Sequence, residues 1–387
     1  MSGPDAVRPG QSPTGPEALL TLRDFEAEAR ARLDPVYYDY VAGGARDEVT
    51  VRANEAAFQR ISLLPRVLRG REKREADVTL FGQHASMPIL ISPTAFHRLA
   101  HPAGELATAR AAARADTVMI VSMASTTDVR DIAAAARDAV PGRDPALWFQ
   151  LYIQPDLEDT AALIRRAATA GCRALVVTVD SPVLGVHERN KRNGFTDLPA
   201  GMYCENLRNL RGDEPGSVRQ IAMSPALSWE HVDWLRAHTQ LPILLKGVLH
   251  PEDAHIALDH GVDGLMLSNH GGRQLDTAPA TIDLLPEMAD AVGGAVPLVL
   301  DGGVRRGTDV VKALALGAAA VGVGRPIFWG LAAHGEQGVT RVLEILRDEF
   351  DHALALCGAG TPADLTPDLV WSGSAVAQRF APGRAGT

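Results

Sequence analysis

GLMLSNHGGRQLD, residues 264 to 276, joins an unbroken apolar run to a glycine-rich turn that carries an imidazole and a guanidinium three positions apart. Four or five apolar positions without polar alternation predict a strand buried on both faces, as in a parallel sheet. His270 and Arg273 then stand just past its carboxyl end, spaced to take a proton from a substrate while holding its anion.

The same kind of run recurs along the chain. PILISP starts at Pro88, TVMIVSM at Thr117, LWFQLY at Leu147, ALVVTVD at Ala174, PILLKG at Pro242, PLVLDGG at Pro297 and AVGVGRP at Ala320, which with GLML makes eight. Segments of helical periodicity lie between them, among them DLEDTAALIRRAATAG and TDVVKALALG. Six of the seven intervals between starts are 22 to 33 residues, room for one strand, one helix and two loops. Eight such units predict an α/β fold closed as a (β/α)8 TIM barrel. A doubly wound open sheet fits less well, because PTAFHRLAHP follows the first strand where a dinucleotide fingerprint would stand. The one long interval, roughly residues 184–240, is an excursion after strand 4 that would cover the carboxyl face. The expected organisation is a tail at 1–17, one barrel domain with an N-terminal helical segment at 18–371, and a second disordered tail at 372–387.

Composition narrows the partners. Of 387 residues 46 % are hydrophobic and 22 % charged, the balance of a soluble globular protein. A net charge of −9 repels nucleic acid and anionic lipid. No run approaches the roughly 20 apolar residues of a membrane span, and the N-terminus lacks the apolar centre of a secretory signal, so the expected location is the cytoplasm. Cys172, Cys204 and Cys357 are widely spaced and odd in number, which argues against a disulfide framework and a zinc site.

Active sites of such barrels form where strands end. Pro93, Thr94 and Ala95 close the first run, Ser122 the second, Gln150 and Tyr152 the third, Thr178 and Asp180 the fourth, and Lys246 the fifth. Ser268 to Arg273 close the sixth, Asp301 to Gly303 the seventh, and Gly324 with Arg325 the eighth. Lys246 ends an otherwise apolar run and must face a negative group. Asp180 is placed to orient an imidazole. DGGVRRGTDV and VGVGRP supply bare backbone plus Arg305 and Arg325 where barrels hold phosphate, so a phosphorylated ligand is implied. Tyr40, in VYYDYVAGGA, is open by spacing alone to either a packing or a site role.

With these residues assembled, the chain resembles the FMN-dependent α-hydroxy acid oxidases and dehydrogenases, the glycolate oxidase, lactate oxidase and mandelate dehydrogenase group. The likeness runs from about Leu22 to Cys357 through YDYVAGGA, SPTAFHRLAHPAGE, WFQLY, TVDSPVLG, LKGV, SNHGGRQLD, LDGGVRRGTDVVKALALGA and VGRP. It implies an (S)-2-hydroxy acid oxidase or dehydrogenase carrying FMN, with a small-molecule 2-hydroxy acid as its partner and a homo-oligomeric assembly. It further implies His270 as base, Asp180 as its acidic partner, Arg273 and Tyr40 on the substrate carboxylate, Tyr152 near the reacting hydroxyl, and Lys246 beside flavin N1. Pro93 to Ala95, Ser122, Gln150, Thr178 and Ser268 would meet the flavin ring and ribityl chain. Asp301, Gly302, Gly303, Arg305, Gly324 and Arg325 would meet the phosphate.

Two positions depart from that pattern. Where the family follows TVD-x-P-x-x-G with two arginines, the second reaching the substrate, this chain has Val186 and His187, with Arg189 as a possible substitute cation. Ala124 stands where glycolate oxidase-like members have tryptophan, which predicts a pocket for a bulkier aromatic or branched acid.

Overall fold

In the computed structural model, which describes residues 15–372 except 71, 211 and 212, all eight apolar runs are strands. They are numbered here as barrel strands β1 (Ile89–Ile91), β2 (Met119–Ser122), β3 (Leu147–Leu151), β4 (Leu175–Thr178), β5 (Ile243–Lys246), β6 (Gly264–Leu267), β7 (Leu298–Asp301) and β8 (Ala320–Val323). Each pairs in parallel with the next, and Val321 of β8 lies opposite Ile89 of β1, so the sheet closes on itself. The open-sheet alternative is thereby excluded.

Every residue of these strands is buried because each face has its own covering. Ile89, Val121, Phe149, Val177, Leu245 and Leu267 belong to the large core shared with the surrounding helices. Their alternates Leu90, Ile120, Trp148, Val176, Leu244 and Met266 form a separate core inside the barrel. Each such side chain contributes about 1.5–3 kcal/mol by leaving water.

A hairpin that the sequence reading did not anticipate seals the amino end of the barrel. Val78–Leu80 pairs antiparallel with Gln83–Ala85, and Leu80 and Ala85 join the inner core. The turn residues Phe81 and Gly82 both have positive φ, which is the two-residue turn that matches strand twist. Phe81 meets Trp148 edge-on at 5.3 Å, and Trp148 Nε1 donates to Gln83 Oε1 at 2.5 Å.

The N-terminal helical segment comprises Leu22–Arg32, Pro35–Ala42 and Val49–Gln59. Thr21 and Asp24 form a capping box for the first, and Asp34 followed by Pro35 opens the second. The third has no cap of its own. Asp276, the last residue of the opening motif, supplies one from across the fold by accepting from the amides of Asp47 at 3.0 Å and Thr50 at 2.9 Å. Helix Arg325–Cys357 follows β8 and kinks at His334–Gly335, and a short strand Val370–Ser372 pairs with Ile61–Leu63.

Structure begins earlier than the expected boundary at 18: Gly15–Ala18 forms a 3-10 turn with Glu17 3.7 Å from Arg341. Ser372 likewise belongs to a strand, and the remainder of both tails lies outside the described residues. Among the described residues, no helix is long and apolar enough to cross a membrane.

Trp148→Ala would empty the floor of the barrel and strand the Gln83 amide. A loss of about 3–5 kcal/mol is expected in equilibrium denaturation, and a change below about 1 kcal/mol would contradict this account of the inner core.

Candidate active site

Inward positions of the barrel change character with height. Above the apolar layers, the last inward residues of β2, β3, β4, β5 and β7 are Ser122, Gln150, Thr178, Lys246 and Asp301. They are joined by hydrogen bonds rather than by packing. Ser122 Oγ donates to Gln150 Oε1 at 3.1 Å, and Gln150 Nε2 donates to Thr178 Oγ1 at 3.0 Å. Asp301 accepts from Ser92 Oγ at 3.1 Å and from Ser268 Oγ at 2.9 Å. Lys246, only 3 % exposed, has its ammonium 3.9 Å from Asp301.

His270 stands above this ring on a turn of three left-handed residues, His270, Gly271 and Gly272. Two glycines take that conformation freely, whereas His270 stores strain of about 1–3 kcal/mol, a frequent mark of functional positions. Its Nδ1 lies 2.8 Å from Asp180 Oδ1. An ionised carboxylate there fixes Nδ1 as donor and leaves Nε2 with a bare lone pair. Burial, reinforced by the Lys246 ammonium, lowers the His270 pKa below its ordinary 6.5, while Asp180 acts the other way. Burial also pushes Asp180 upward, but His270 and Lys246 overcome it and bring the carboxyl down to about 2. The site therefore holds a neutral base beside a fixed anion at neutral pH.

Two tyrosines and an arginine complete this end. Tyr40 packs between Phe96 and Phe195 with centroids 5.6 and 5.1 Å away, and the Arg273 guanidinium lies 4.9 Å from its ring centroid. Arg273 Nη1 donates to the carbonyls of Tyr40 at 2.6 Å and Gly43 at 3.1 Å, which fixes its remaining donors in place. Burial, followed by the negative charge of Asp180, raises the Tyr152 phenol well above its usual value, so it stays a donor.

These groups line one cavity of about 860 Å³. Of the site residues named in the sequence, all but Asp180, Arg189, Ser268, Asn269 and Gly272 reach its wall. Asp180 sits behind His270. Ser268 is fully buried, donating to Asp301 and accepting from the His270 amide at 3.0 Å, so it supports the wall without facing the cavity. Arg325 reaches the cavity, yet its guanidinium is held by the carbonyls of Val41, Gly271 and Gly43 at 2.9 to 3.0 Å. Burial, with Arg273 and Arg305 nearby, brings it down to about 9. Arg305 pairs with Glu55 at 2.9 Å while also lining the cavity.

His187 behaves unlike an arginine. Its Nε2 lies 2.8 Å from the Arg273 carbonyl, which accepts, so the ring is the donor. Burial and the Arg273 charge lower it to about 4, leaving it neutral at neutral pH. Arg189 offers no replacement cation, being bound to Asp39 at 3.2 Å and Glu48 at 2.5 Å and absent from the cavity wall. The excursion instead brings an apolar wall that sequence reasoning did not foresee: Leu184, Val186, Phe195, Leu198, Met202, Ile221 and Met223 face the cavity, as does the small Ala124.

A closed barrel whose cavity gathers a buried lysine, a carboxylate-backed imidazole and bare glycine backbone beside two arginines has the make-up of a flavin-type oxidoreductase site. The comparisons agree. The model of the FMN-dependent dehydrogenase family matches residues 29–372. The human 2-hydroxyacid oxidase 1 is 46 % identical over 88 % of this chain and 93 % of its own, and an L-lactate oxidase of Nostoc sp. is 43 % identical over 89 % and 96 %. A mandelate oxidase structure with benzoyl-formic acid superposes with a TM-score of 0.82 at 41 % identity, covering 90 % of this chain and 97 % of that one. The chain belongs to the FMN-dependent dehydrogenase family, and its cofactor is FMN.

The residues present fit that group. The cavity is near the upper end of the roughly 300–1,000 Å³ range of ligand sites, ample for a flavin together with a small acid. Gly302, Gly303 and Gly324 present backbone without side chains, and a Cβ on Gly303 would collide with the Asn54 carbonyl. Helix Arg325–Cys357 starts beside them, which puts the positive end of its dipole next to this bare backbone.

Asp180→Asn would remove the charge that sets the His270 tautomer. Anaerobic flavin reduction should slow by about 100-fold or more, while the visible flavin spectrum persists. Retention of wild-type rates would remove Asp180 from this arrangement.

Proposed function

We propose that this FMN-dependent 2-hydroxy acid oxidoreductase acts on substrates bulkier than glycolate, with an aromatic or branched side chain lying between Ala124 and the apolar wall of the excursion. The observation that carries the reading is the pairing of a neutral His270, backed by Asp180, with Arg273 and Tyr40 in a cavity of about 860 Å³. The mandelate oxidase likeness supports the side-chain preference, since its structure holds benzoyl-formic acid.

Arg273 and the Tyr40 hydroxyl hold the substrate carboxylate, which places the α-carbon under His270. The Nε2 lone pair takes a proton from the carbon or the hydroxyl, and the resulting imidazolium is stabilised by Asp180 at 2.8 Å. Tyr152, kept protonated by its surroundings, donates toward the reacting oxygen. FMN, when bound, accepts the two electrons, with the Lys246 ammonium as its nearby positive charge. His187 contributes no charge, so carboxylate recognition rests on one guanidinium. From the family resemblance we also assign a self-associating protein, and from a sequence with no apolar run of bilayer length a cytoplasmic one.

Two outcomes test this. Because the folded pKa of His270 is lowered, its neutral form persists below pH 6.5 and is lost only as pH falls through that lowered value. The acid limb of kcat/KM should therefore lie below pH 6.5, and a limb above it would contradict the neutral-base reading. Separately, kcat/KM should favour mandelate and branched acids over glycolate, and Ala124→Trp should cost mandelate about tenfold or more while sparing glycolate. Glycolate emerging as the best substrate of the unaltered enzyme would refute the size assignment.

A further inference from the structure

Helix Val49–Gln59 lies outside the barrel and contributes no side chain to the cavity, yet it touches both halves of the site. Asn54, 3 % exposed, exchanges two hydrogen bonds with Asn269, 4 % exposed. Asn54 Nδ2 donates to Asn269 Oδ1 at 2.9 Å, and Asn269 Nδ2 donates to Asn54 Oδ1 at 2.7 Å. Asn269 also holds the turn that carries His270, its Oδ1 accepting from the Gly272 amide at 3.1 Å, while its Nδ2 donates farther along the chain to the Pro279 carbonyl at 3.0 Å. On the opposite side, Asn54 backs the phosphate cradle. Its side-chain amide lies 3.3 Å from where a Gly302 Cβ would be, and its own carbonyl occupies the space beside Gly303.

One buried residue thus borders the loop after β7 and is doubly bonded to the residue preceding His270. Two buried amides satisfying each other tolerate no sliding, because any shift leaves polar atoms unpaired in a site closed to water. We propose that Asn54 is a positioning residue that sets the phosphate cradle and the His270 turn in one register, so that holding the cofactor's phosphate and aligning the base depend on the same amide pair. This rests on reading Gly302 to Arg305 as the phosphate cradle and His270 as the base.

The test uses the full chain carrying Asn54→Leu, which keeps the branched side-chain skeleton and removes both bonds, and Asn54→Ser, a smaller change in case the first does not fold. FMN and riboflavin, which lacks the phosphate, are titrated into the FMN-stripped protein by fluorescence quenching. The reduction rate at saturating substrate is measured anaerobically in the FMN-loaded form. Both variants should bind FMN about tenfold more weakly, the size of one lost buried hydrogen bond, with riboflavin affinity nearly unchanged. They should also reduce their flavin about tenfold more slowly.

A variant that melts earlier but keeps wild-type FMN selectivity and reduction rate overturns the proposal in favour of a purely structural pair. Failure of both variants to fold does the same. If the unaltered protein itself binds riboflavin as tightly as FMN, the phosphate-cradle reading falls and takes this proposal with it.

Discussion

A single buried ammonium governs the upper half of this barrel. Lys246 ends β5 pointing inward, where water cannot stabilise it, and an isolated charge there would be intolerable. Asp301 at 3.9 Å answers it from β7, and Ser92 and Ser268 hold that carboxylate in turn. The same positive charge helps keep Asp180 ionised and His270 neutral. The polar layer is therefore one electrostatic unit, in which the charge state of His270 depends on a lysine that ends the neighbouring strand.

The division of the barrel into a dry lower part and a charged upper part comes from the alternation of strands. Inward side chains at low positions are Leu90, Ile120, Trp148 and Val176, while the next inward positions up β2, β3 and β4 are Ser122, Gln150 and Thr178. A shift of one residue in any strand would turn its polar member into the helix layer, so register and site chemistry are specified together.

Much of this was legible in the sequence because the signals are local. Eight uninterrupted apolar runs gave strand number and order, and polar residues closing those runs marked the rim. Contacts made over long sequence distances were not legible. Asn54 sits in RANEAAF, an ordinary helical stretch, and its value lies in Asn269, 215 residues on. Trp148 in LWFQLY gives no hint of Gln83 and the hairpin beneath it. His187 was conspicuous as a departure, but that its ring would donate to a carbonyl rather than wait for a carboxylate depends on how the excursion lies against Arg273. Arg325 was marked by VGRP, but the bonds by which its guanidinium also ties the N-terminal segment to the rim, to the carbonyls of Val41, Gly43 and Gly271, were not legible there.

The hairpin stopper under Trp148 gives the molecule a base. The polar ring is closed from below by that hairpin and the inner core, and it shares one cavity with the apolar residues of the excursion at the carboxyl end.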